Sequence, residues 1–100
     1  MTGKQLGQIK NVYFGYSDFL FGLIMELGGP GWGVVTTYDY NPTYKDEARR
    51  NECAIKMLSE VQDFMKSAKV KTVHDLKGKP VECTFEGSLL KDFRILTEVI

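Results

Sequence analysis

The sequence predicts an α+β fold: an antiparallel sheet of about five strands, β-β-β-α-β-β, with one long helix packed on one face. Three observations carry this. The first forty residues hold three β-rich apolar stretches parted by turn residues, one run after Thr43 has helical spacing, and two more β-rich stretches follow Pro80. One hundred residues make a single domain, 1–100, with room for one core.

Residues Gln8 to Tyr16 are rich in β-branched and aromatic types and read as the first strand. The second, Phe19 to Leu27, alternates Phe21, Leu23, Met25 and Leu27 with Leu20, Gly22, Ile24 and Glu26. Gly15 to Asp18 supplies the turn between them, and Gly28-Gly29-Pro30-Gly31 the next one. Trp32 to Tyr38 is the third strand. Short loops favour antiparallel neighbours, so these strands form a meander.

Asn41-Pro42-Thr43 opens the second half, with Thr43 expected to cap a helix and Asp46 to answer it in a capping box. Ala54, Met57, Leu58, Val61, Phe64, Met65 and Ala68 then fall on one helical face, while Arg49, Arg50, Glu52, Lys56, Glu60, Asp63 and Lys66 cover the rest. Thr72 to Asp75 repeats the capping pattern over one short turn, closed by Gly78 and Pro80. Val81 to Phe85 and Leu89 to Ile100 form a hairpin around Glu86-Gly87-Ser88. One helix covers one sheet face, whereas strand two, Val34 with Val35, and Phe93, Ile95 and Val99 set against Leu96 and Ile100 place apolar residues on both. The uncovered face therefore predicts a homo-oligomer.

Composition narrows the function. Apolar residues make up 43% and aromatics 12%, enough to bury a core. Thirteen basic residues balance thirteen acidic ones, which argues against a nucleic-acid partner. The longest apolar stretch, Phe19 to Met25, falls far short of the roughly 20 residues of a spanning helix, so no membrane partner is expected. The start MTGKQLGQIK has no apolar secretion core, and an intracellular protein is expected. Cys53, Cys83 and His74 match no zinc spacing, so neither a metal nor a cofactor is predicted. The single His would have to serve every triad, and Glu82 with Glu86 read as the wet side of an edge strand. No enzyme is expected.

The aromatics cluster at strand ends, where planar ligands stack. Phe14, Tyr16, Trp32 and Tyr38 are the candidate ligand-binding rings, with Lys91 and Arg94 as candidate cationic contacts. Alternation places Lys91 and Arg94 on opposite faces, and Arg94 needs a carboxylate such as Glu98 or a ligand oxygen. Gly28 to Gly33 reads as a hairpin turn, with a ligand-facing lip as the alternative; it lacks the Lys and Ser/Thr of a phosphate loop.

Val12 to Gly15, Phe21-Gly22-Leu23, Gly31-Trp32-Gly33, Leu76 to Glu82, Thr84-Phe85, Leu90-Lys91 and Phe93 to Val99 resemble a family of small tailed-bacteriophage proteins. The chain is similar in build to the anti-Thoeris sponges, which sequester a cyclic ADP-ribose-type signal made by a bacterial TIR-domain enzyme. That resemblance implies a non-enzymatic, nucleotide-binding viral protein of immune evasion, acting in the host bacterial cytoplasm on a small nucleotide-derived ligand. The alternative is a phage protein-binding inhibitor, or a minor structural or assembly protein, acting through its exposed sheet face.

Overall fold

The structure, a computed structural model, describes residues 3–96. It has the predicted α+β architecture. Strands β1 (Gly3–Ser17), β2 (Leu20–Gly29) and β3 (Trp32–Tyr40) lead into helix α1 (Glu47–Ala68); a short 3-10 turn, Val73–Leu76, precedes β4 (Pro80–Glu86) and β5 (Leu89–Ile95). All pairings are antiparallel, in the order β3-β2-β1-β4-β5. The chain thus makes its meander, crosses the sheet through α1, and adds the second hairpin on the far side of β1.

One face of the sheet makes the core with the helix. Ile9, Leu23, Met25, Leu27, Val81, Cys83 and Ile95 from the strands bury with Met57, Val61, Phe64 and Ala68 from α1 and with Leu76. The helical face is the one its spacing predicts at Met57, Val61, Phe64 and Ala68, whereas Leu58, expected on it, is 47% exposed. Removing such side chains from water is the main stabilising term, at about 1.5–3 kcal/mol for each large one.

Three local expectations change. Asp46, not Thr43, caps α1: its carboxylate accepts from the Arg49 N–H at 3.2 Å, while Thr43 donates from its N–H and hydroxyl to Asn41 Oδ1 at 2.9 and 2.6 Å. Both residues suit a cap, and the turn at Asn41 consumes Thr43. The first strand starts at Gly3 because β4 pairs with Gly3 to Gln8, a partner distant in sequence. The face away from α1 is mixed rather than apolar. It carries Lys4, Asn11, Glu26, Thr37, Glu82 and Arg94 beside Leu6, Tyr13 and Val35, and Ile24 there is only 3% exposed. That face by itself no longer requires a second chain.

The reading of a last strand to Ile100 is supported to Ile95, after which the Leu96 N–H still donates to the Pro80 carbonyl at 3.0 Å. Glu98, Val99 and Ile100 lie outside the described residues.

Candidate functional site

The turn between β2 and β3 and the turn between β4 and β5 lie at the same end of the sheet, because β2 and β4 run in the same direction on either side of β1. Between them, beside the start of β1, is a cleft of about 580 Å³. Trp32 and Phe85 form its aromatic part, edge to face with centroids 5.3 Å apart. Gln5 and Ser88 bring an amide and a hydroxyl, and Gly31 and Gly87 expose backbone without side chains, each at positive φ.

Glycines also seat the indole. A Cβ at Gly7 would stand 2.8 Å from Trp32 Cζ2, and one at Gly29 would stand 2.6 Å from Trp32 Nε1. Only at glycine does the strand backbone let the ring lie this close. Among the described residues, the indole N–H is buried and has no hydrogen-bond partner. A buried donor without an acceptor costs about 1–3 kcal/mol, and such a group calls for an explanation.

The six candidate residues do not converge. Trp32 alone lines this cleft. Phe14 and Tyr16 lie at the opposite end of the β1–β2 hairpin, packed on Phe21 at 5.3 and 4.9 Å. Tyr38 packs under the helix against Phe64, whose ring also meets Phe93. Burial raises the Tyr38 phenol above its ordinary 10.0, and the Glu60 and Asp92 carboxylates push the same way.

Lys91 and Arg94 are engaged on β5. Arg94 Nε donates to Glu82 Oε1 at 3.1 Å, and Lys91 Nζ is 2.8 Å from Glu86 Oε2. Here the alternation fails for a definite reason. Thr84 pairs with Asp92 and Phe85 with Leu90, so Lys91 is the extra residue of a β-bulge. The bulge lets Lys91 reach Glu86, in phase with Glu82 on the face Arg94 occupies. The carboxylate expected for Arg94 is thus supplied by Glu82, the residue directly across the ladder.

Phe85, Gln5 and Ser88 were not singled out in the sequence. The signal that could have found the site is glycine inside a strand pattern, Gly7 and Gly29, which marks a close approach by another group. No titratable side chain lines the cleft. Among the described residues, no group of three or more His, Cys, Asp or Glu is placed to hold a metal ion, and no helix is long and apolar enough to cross a membrane. Cys83 is buried, which raises its thiol above 9.0, while Cys53 is exposed on the helix.

Comparison with known proteins yields no matching family, no matching curated protein and no matching solved structure.

Proposed function

We propose that this is a non-catalytic, phage-encoded binding protein that captures a nucleotide-derived immune signal of the cyclic ADP-ribose type, with the Trp32 cleft as its binding site. The observation that carries this reading is the Trp32–Phe85 ring pair lining a cleft edged by Gly31 and Gly87. A purine or similar ring would lie against the Trp32 and Phe85 rings at the cleft. Backbone N–H groups at Gly31 and Gly87, with Ser88 and Gln5, suit phosphate and ribose oxygens without a cationic side chain. With no titratable group in the lining, capture without turnover is the chemistry this cleft suits. Competition with an immune receptor in the host cytoplasm calls for about nanomolar affinity, roughly −12 kcal/mol.

The test is calorimetry with cyclic ADP-ribose isomers and cyclic dinucleotides, with mass spectrometry of whatever heating releases. Tight binding, release of the intact molecule, and loss of both in Trp32→Ala are expected. A cleaved product would make the protein an enzyme. Absence of binding across both ligand classes would overturn the reading.

A second reading has its own observation. Phe14, Tyr16 and Phe19 are 41, 69 and 60% exposed around the β1–β2 turn, a cluster of the kind that anchors protein interfaces. A protein-binding inhibitor would use it. Recovery of a host protein in stoichiometric complex, lost on Tyr16→Ala but not on Trp32→Ala, would favour that reading.

A further inference from the structure

Among the described residues, strand β1 has strand partners on both sides over only its first half, and the Val73–Leu76 turn also packs against it. β4 pairs with Gly3 to Gln8, and Ile9 closes this side by donating to the Lys79 carbonyl at 3.0 Å and accepting from the Gly78 N–H at 2.7 Å. From Asn11 to Ser17 the ladder is with β2. In a two-residue hairpin the closing pair, Ser17 and Leu20, is hydrogen-bonded, and so is every second pair above it: Gly15 with Gly22, Tyr13 with Ile24. The peptide groups of Val12, Phe14 and Tyr16 therefore turn toward the other edge.

Proteins usually defend such an edge with a charge, a proline or a cover. Asn11-Val12-Tyr13-Phe14-Gly15-Tyr16-Ser17 has neither charge nor proline, and Tyr13, Phe14 and Tyr16 are all exposed. We propose that this edge takes a second copy of the chain, added antiparallel about a two-fold axis through Phe14, so that two sheets become one.

The segment is its own complement in that register. Tyr13 lies opposite the partner's Gly15, a ring over a glycine. Val12 faces the partner's Tyr16, a favourable aromatic and β-branched pair, and Asn11 faces the partner's Ser17. The charges that bound the segment, Lys10 and Asp18, are opposite in sign, and the axis brings each toward its complement in the partner. To meet the partner's Asp18, Lys10 must swing its stem off Gly28, where it now rests. The other in-phase registers are poorer. An axis at Tyr13 sets Lys10 against Tyr16; one at Gly15 sets glycine on glycine and Asp18 against Val12.

This edge lies away from the Trp32 cleft and stands independently of the function proposed above. Light scattering at high micromolar concentration should give twice the 11.4 kDa of the chain. Amide exchange at Val12, Phe14 and Tyr16 should be slow there and fast on dilution, while Tyr13 and Gly15 stay slow throughout. Phe14→Pro removes an outward N–H and leaves the β2 ladder intact, so it should give a folded monomer by circular dichroism. If Phe14→Pro does not fold, Lys10→Glu provides the second variant: it should weaken the dimer several-fold at low salt, and adding Asp18→Lys should restore it. A monomer at every concentration would overturn the proposal, as would slow exchange at all three amides in an 11.4 kDa species, whose edge is covered by the chain itself. A dimer indifferent to these variants, or a complex formed only with another protein, would overturn it equally.

Discussion

A Cβ at position 29 would stand 2.6 Å from the indole nitrogen of Trp32 and 2.7 Å from the Leu6 carbonyl oxygen. The first is a side chain that can shift; the second is backbone that cannot do so cheaply. Gly29→Ala is therefore expected to lose about 1–3 kcal/mol of stability, as overpacking does, and to displace the indole from the cleft. Denaturant unfolding measures the first effect, and the shift in tryptophan fluorescence reports the second.

Trp32→Phe separates the ring from its N–H. It removes a buried donor whose lack of a partner costs about 1–3 kcal/mol, and it loses packing area of comparable worth. Stability should hold to within about 1 kcal/mol while ligand affinity falls. Trp32→Ala should lose both, with stability down by about 2–4 kcal/mol. Equal affinity in wild type and Trp32→Phe would show that the ligand does not use the full indole face.

Arg94→Ala tests a different kind of contact. The Arg94 side chain is 56% exposed and Glu82 20%, and Lys4 Nζ also approaches Glu82 Oε1 at 3.8 Å. Exposed pairs of this type contribute about 0–1 kcal/mol and are screened by salt. A small, salt-sensitive loss of stability is expected, with binding at the Trp32 cleft unchanged. A large loss of ligand affinity in Arg94→Ala would move the site to β5.

Asp46→Ala should cost about 1 kcal/mol, since it removes the acceptor for the Arg49 N–H at the start of α1. Thr43→Ala acts only on the turn at Asn41 and should cost less. Urea midpoints of the two variants order them, and the reverse order would restore Thr43 as the cap.

Stability should fall as the solution turns alkaline. The Tyr38 phenol and the Cys83 thiol both have folded values raised above their ordinary 10.0 and 9.0, chiefly by burial. Above about pH 9 the unfolded chain has released protons that the folded chain still holds, so unfolding free energy declines with pH. The loss begins near the unfolded values and continues until the raised folded values are passed. Tyr38→Phe should flatten the upper part of that decline, as read from urea midpoints at successive pH.

Local chemistry was legible along the chain. The strands of the meander follow from alternation and glycine turns, and α1 from the spacing of Met57, Val61, Phe64 and Ala68, because each of these patterns is set by neighbours a few residues away. The Lys91 reversal was not legible, since a bulge of one residue leaves no mark in composition but resets every face that follows it.

What the sequence by itself determined was the α+β class, the element order and the identity of the buried helical stripe. Only the tertiary structure decided which aromatics meet. Phe14 and Tyr16 went to one end of the β1–β2 hairpin and Trp32 to the other, where Phe85 arrives because β4 pairs with the first half of β1. That pairing closes a long loop of chain, so no local spacing encodes it. It is favoured by the burial of Val81 and Cys83 beside Ile9 under a single helix, and the same pairing stops at Gln8, leaving the second half of β1 with β2 as its one strand partner among the described residues.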